Sequence, residues 1–273
     1  MNVLRAGSTG LTLGQGLCEP SGPGAATWRS AVPDITYAAS SAPELDAYLA
    51  TPRGAGPWPG VIVVMDALGL SDDIKEQADR LAAAGYLAFA PDLYSGRGVR
   101  CVLATLQASR TGTGPAYGDI EAARDVLAAR QDCTGRIGVI GFCMGGGFAV
   151  MLSAAQYQFA ASSVNYGEVP KDVADRLAGG CPVVGSFGGR DVTLKRRADR
   201  LERALTELGI PHDVKEYPDA GHSFLNRINA GPVLGTVVKL TAFNYHHASA
   251  EDAWRRILTF FDEHVRDAPA AAR

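Results

Sequence analysis

Gly141-Phe142-Cys143-Met144-Gly145-Gly146-Gly147 sets one thiol among four glycines. A cysteine in that setting has two uses. It packs as a small hydrophobe, or it is a nucleophile held on a tight turn. The second use requires a base within hydrogen-bond reach and a group that orients the base. Five histidines are available. His222 lies in YPDAGHSF, directly after the strand-like HDVKEY, and loops at the carboxyl ends of parallel strands are where such sheets keep their chemistry. His212 heads that strand, His246 and His247 precede the last helix, and His264 is near its end, where a cation suits the dipole. These four read as surface or packing residues. Asp191 lies in GGRD, just past the strand-like PVVGSF. It suits an orienting carboxylate, and equally the N-cap of a following helix. Asp172, Asp175 and Asp219 share the interval between Cys143 and His222, with Asp219 in the loop of His222 itself. A thiol, an imidazole and a carboxylate together can transfer an acyl group.

The elements that must position these residues alternate along the chain. Residues 32–38 and 44–51 predict a strand pair. The apolar run Val61 to Met65 predicts a strand buried on both faces. Residues 72–84 predict a helix with Ile74, Ala78 and Leu81 on one side and Gly85 as its stop. Further strands are expected at 86–91, 136–141, 159–164, 182–187 and 212–217. Helices are expected at 117–130, with Ile120, Ala123, Val126 and Leu127 inward, and at 146–156, 193–208 and 250–265. Strands alternating with helices imply right-handed crossovers and a parallel sheet. No internal repeat or linker interrupts residues 32–267, which read as one domain. Residues 1–31, rich in Gly, Ser, Thr and Pro, read as a flexible tail, and 268–273 as a second one.

Gly141-x-Cys143-x-Gly145 between a strand and a helix matches the nucleophile elbow of α/β-hydrolases, with Cys in place of Ser. Glycines two before and two after leave room for a strained turn. The helix that starts there favours a thiolate, and the Met144 N–H would face a developing oxyanion. The phosphate-loop patterns GxGxxG and GxxxxGK[ST] both fail here. The chain order nucleophile, acid, histidine of that fold selects Asp191 and His222.

PGVIVVMDALGL, APDLY, GFCMGGG, GGRD and AGHSF, in that order over residues 32–267, resemble the dienelactone hydrolase family. The resemblance implies an α/β-hydrolase fold, a mostly parallel central sheet with helices on both faces. It implies a Cys143–His222–Asp191 triad that hydrolyses a carboxylic ester or lactone through a thioester. Backbone N–H groups of Ala67 and Met144 would then hold the oxyanion, with no metal and no cofactor. Where the family's namesake has a glutamate contacting the resting thiol, this chain has Asp66, which either contacts the thiol or shapes the oxyanion loop. The namesake's two carboxylate-binding arginines are out of register: Arg97 is displaced by one residue, and Asn226 stands at the second position with Arg227 after it. A preference for neutral, more hydrophobic esters or lactones follows as an expectation. Residues 227–247, with the apolar GPVLGTVVKL, read as a lid or pocket wall. The alternatives are acyl transfer or a lactone-forming or lactone-opening step in natural-product metabolism on the same triad, a thiol redox sensor, and a non-catalytic binding protein on this fold.

The 273 residues are 47% hydrophobic, enough for one large core, and the formal net charge of −3 leaves no basic field for nucleic acid. No apolar run approaches a membrane span. Five cysteines, at 18, 101, 133, 143 and 181, are odd in number and contain no CxxC. They point to reduced thiols in the cytoplasm rather than a disulfide framework or zinc site, and the first thirty residues contain no apolar core of signal-peptide length. The expected partner is a small ester or lactone, the expected assembly a monomer or homodimer.

Overall fold

Val61, Ile62, Val63 and Val64 are wholly buried. A strand apolar at every position must be covered on both faces, and this one lies inside a sheet of eight strands. The computed structural model describes residues 34–95, 98–227 and 245–267. Both expected tails, Arg97 and most of the expected lid (228–244) lie outside these residues. The strands are β1 (Asp34–Tyr37), β2 (Leu45–Ala50), β3 (Trp58–Val64), β4 (Leu87–Pro91), β5 (Cys133–Phe142), β6 (Ser162–Asn165), β7 (Val183–Gly188) and β8 (His212–Tyr217), in the order β1-β2-β4-β3-β5-β6-β7-β8. The β1–β2 and β2–β4 pairs are antiparallel, and every later pair is parallel. The strand order turns at β3, flanked by β4 and β5. A crevice beyond the carboxyl ends is expected near such a point.

The helices among the described residues are α1 (Asp72–Ala83), α2 (Val99–Thr111), α3 (Pro115–Ala128), α4 (Met144–Leu152), α5 (Val173–Arg176), α6 (Arg197–Glu207) and α7 (His247–Phe261). A π-helical turn, Asp262–Arg266, continues α7. α1 starts where Ser71 Oγ accepts from the Ile74 N–H, and it buries Ile74, Ala78 and Leu81 as expected. All nine residues of α4 are buried, as befits a helix that is apolar all round.

Two expectations are corrected, and one helix was not foreseen. The helix expected at 193–208 begins only at Arg197, because residues 191–196 form a loop closed by Asp191. Val126 is 38% exposed rather than inward, leaving Ile120, Ala123 and Leu127 as the apolar face of α3. α2 was not predicted. Its buried face is Thr105, Ala108 and Ser109, while Val99 and Leu103 are exposed. Two of its larger hydrophobic residues therefore face solvent while Thr105 and Ser109 are buried, which blurs the periodicity.

Candidate active site

β5 runs into α4 with no intervening loop, and Cys143 is the hinge residue. Its φ of +54° lies in the left-handed region that non-glycine residues seldom adopt. Two glycines make the turn possible. A Cβ on Gly141 would stand 1.9 Å from the Gly145 carbonyl oxygen, and one on Gly145 would stand 2.2 Å from the Val64 carbonyl oxygen. The Cys143 N–H donates to the Asn165 carbonyl at 3.1 Å, tying the hinge to β6. On the far side, Ser109 Oγ donates to the Met144 carbonyl at 2.7 Å, so α2 buttresses the turn.

Two further loops converge on this hinge. Asp191 follows β7, and His222 follows β8. The Gly189 N–H donates to the Tyr217 carbonyl at 2.8 Å, and the Arg190 N–H to the Ala220 carbonyl at 2.9 Å. These bonds lock the two loops side by side. His222 Nδ1 lies 2.6 Å from Asp191 Oδ2, and His222 Nε2 lies 3.0 Å from Cys143 Sγ. Asp191 Oδ1 accepts from the Thr193 N–H at 2.9 Å and from its hydroxyl at 2.6 Å. Asp191 therefore does not cap α6, whose N-cap is Arg196. His222 and Asp191 are each 5% exposed.

Electrostatics follow from this geometry. Burial works against a charged His222, but its bonds to Asp191 and Cys143 outweigh burial and raise its pKa to about 9. Burial likewise opposes the Asp191 charge, yet the bonds from His222 and Thr193 hold its carboxyl below the ordinary value. Asp66 behaves in the opposite way. Burial pushes its carboxyl up to about 6, against the pull of the Leu68 N–H that it accepts at 2.8 Å. Among the described residues that Leu68 bond is the one the Asp66 carboxylate makes, and none joins it to the thiol.

Met144 carries an N–H at the first position of α4, where such groups lack intrahelical partners, and Ala67 follows Asp66 beyond the end of β3. Tyr94 lies between the two residues: its one hydroxyl proton has the Ala67 carbonyl at 3.2 Å and Met144 Sδ at 3.5 Å as alternative acceptors. Asn226 is 1% exposed and its amide is engaged at both ends. Its oxygen accepts from the Tyr166 hydroxyl and its Nδ2 donates to Asp73. The Arg227 guanidinium is exposed and sits over the Tyr245 ring, 4.5 Å from its centroid. Tyr166, whose ring centroid is 5.3 Å from that of His222, was not foreseen. Nor were Tyr94 and Thr193. Their side chains carry no spacing or composition signal; only the folded loops bring them in. Among the other described cysteines, burial pushes the Cys181 thiol up to about 12 and also raises that of Cys133. Among the described residues, no group of three or more His, Cys, Asp or Glu side chains is arranged to hold a metal ion.

Comparison with known proteins gives the family of the chain. The profile of the "Dienelactone hydrolase family" matches residues 45–265. A protein of Escherichia coli (strain K12) named "Putative carboxymethylenebutenolidase" is 30% identical over 252 residues, covering 85% of this chain and 88% of that one. One of Salmonella typhimurium with the same name is 30% identical over 249 residues, covering 84% and 87%. Among solved structures, the "Putative Dienelactone Hydrolase" from Klebsiella pneumoniae superposes with a TM-score of 0.66 at 25% identity, covering 85% of this chain and 98% of that one. The metagenomic dienelactone hydrolase-like enzyme P91 superposes at 0.68 with 23% identity, over 85% and 98%, a likeness of fold alone. The family match over most of the chain and the relatives at 30% identity show that the chain belongs to the dienelactone hydrolase family and is a hydrolase of the α/β-hydrolase fold.

Proposed function

We propose that the protein hydrolyses a carboxylic ester or lactone, with Cys143 as nucleophile, His222 as base and acid, and Asp191 as the group that orients His222. One observation carries this reading: a single imidazole lies 3.0 Å from the Cys143 sulfur and 2.6 Å from the Asp191 carboxylate. His222 takes the thiol proton, and the thiolate attacks the carbonyl carbon. The carbonyl oxygen gains negative charge, which the N–H groups of Ala67 and Met144 stabilise. The tetrahedral intermediate collapses, the C–O bond to the leaving group breaks, and His222 protonates the departing alkoxide. A thioester on Cys143 remains. His222 then draws a proton from water, the hydroxide adds to the thioester, and the acid departs as the thiol is restored. Asp191 accepts a hydrogen bond from Nδ1–H throughout, holding Nε2 toward the sulfur.

The acyl or alcohol part of the substrate is neutral and apolar. Asn226 brings no charge, and its amide is fully engaged. Leu68 and Val192, two residues past Asp66 and one past Asp191, are 62% and 71% exposed, and exposed apolar groups beside a site suit an apolar ligand. Residues 32–267 serve as one catalytic domain. The test is turnover of a panel of small esters and lactones, including a lactone acid and its methyl ester, by wild type and Cys143→Ala. Activity lost in the variant and highest on neutral substrates is expected. Undiminished activity in the variant rules out Cys143 as nucleophile, and a clear preference for the acid rules out the neutral pocket.

A further inference from the structure

His222 is held at its ring nitrogens by Asp191 and Cys143. A further set of contacts meets its ring and its loop. Tyr166 follows β6 at a φ of +40° and is 1% exposed. That strained backbone turns its ring against His222, at 5.3 Å between centroids and 59° between planes. The Tyr166 hydroxyl donates to Asn226 Oδ1, and Asn226 Nδ2 donates to Asp73 Oδ2. Asp73 stands in the first turn of α1, where the helix dipole favours a carboxylate. Its Oδ1 accepts from the Arg227 N–H at 2.6 Å. Gln77, one turn along α1, donates to the Leu225 carbonyl at 3.2 Å. The Asn226 N–H closes the turn onto the Ser223 carbonyl at 2.9 Å, with Ser223 itself at a φ of +57°. A strained segment of this kind persists only where its surroundings over-determine it.

We propose that Tyr166, Asn226 and Asp73 form a positioning chain that fixes His222 against Cys143, Tyr166 by packing against the imidazole ring and Asp73 by clamping the 222–227 loop to α1. The inference rests on the triad reading above. None of the three touches the reacting atoms; they act through His222. The chain works through hydrogen bonds, and its charge is incidental. With asparagine at 73, Asn226 can flip, accept from the new amide and donate to the Tyr166 oxygen, so the chain runs in the reverse sense.

The test compares Tyr166→Phe, Asp73→Ala and Asp73→Asn by kcat, KM and the pH profile of kcat/KM on one activated ester. Tyr166→Phe and Asp73→Ala are expected to lower kcat about tenfold with KM within about twofold, the mark of an interaction felt mainly beyond the ground state. The limb of the profile belonging to His222 should fall from about 9, as looser bonds to Asp191 and Cys143 return the imidazole toward its ordinary value. Asp73→Asn should keep kcat within about threefold of wild type. Wild-type kcat and profile in both Tyr166→Phe and Asp73→Ala overturn the proposal. So does a change confined to KM, which would make these residues substrate contacts. Equal losses in Asp73→Asn and Asp73→Ala, in step with lowered melting temperature, reduce the chain to ordinary packing. Acylation of Cys143 in the wild type is measured alongside: its absence refutes the triad reading itself, while its presence with unaffected variants refutes the chain alone.

Discussion

At the scale of single residues, the site joins one imidazole to two partners and leaves one carboxylate, Asp66, buried at a cost that its Leu68 bond does not offset. Cys143→Ala, His222→Ala and Asp191→Ala should each lower kcat/KM by about a hundredfold or more, and paired substitutions should cost little beyond the worst single one, because the groups act as a unit. Steady-state kinetics on an activated ester checks this. Near wild-type turnover in Asp191→Ala would remove Asp191 from the scheme. Asp66 invites a different test. Its folded-state pKa of about 6 is above the unfolded value of 3.8, chiefly through burial. The folded state thus penalises its charge. Stability from this group is complete below the unfolded value and is lost as pH rises through the folded one. A shift of that size corresponds to about 3 kcal/mol at most. Asp66→Asn keeps an acceptor for the Leu68 N–H and removes the charge. Its melting temperature should exceed that of wild type by several degrees near pH 7.5 and match it near pH 4, and equal melting at both pH values would show that Asp66 bears no such penalty.

At the scale of elements, the elbow depends on backbone packed against backbone. Gly141→Ala would drive a methyl group into the Gly145 carbonyl, which has no flexible end to move. A loss of about 3 kcal/mol or more is expected, read as a lower urea midpoint, and an unchanged midpoint would mean a looser turn than described. This packing also explains what the sequence could reveal. The elbow was legible because its glycines are demanded by close approach, and because α4 is apolar on every side. The β7 and β8 loops were legible because Asp191 and His222 come just after strongly apolar or strand-like runs. α2 was not, since it buries Thr105, Ala108 and Ser109 and exposes Val99 and Leu103. Tyr166 and Asp73 were not legible either. They are 93 residues apart by numbering (166 − 73), and only the parallel sheet and the strained turn after β6 bring them to the same histidine.

At the scale of the whole molecule, stability and catalysis are linked through the same buried pair. The folded-state pKa of His222, about 9, lies above its ordinary 6.5. The stabilisation it brings is fully present below pH 6.5 and is lost as pH climbs through about 9. Melting temperature should therefore fall across that window in wild type, with the titration belonging to Cys143, His222 and Asp191 jointly. His222→Gln should flatten the fall; an equally steep fall in that variant would place its source elsewhere. The sheet matters here because it carries the three groups just past the ends of three different strands, β5, β7 and β8. The central claim remains that this fold makes a thioester on Cys143. The most direct measurement is intact mass, followed by peptide mapping, after brief mixing with p-nitrophenyl butyrate and an acid quench. The account predicts one butyryl group on the peptide that contains Cys143 and none in Cys143→Ala. A butyryl group on another residue, or turnover that persists in Cys143→Ala with no adduct in wild type, would contradict it.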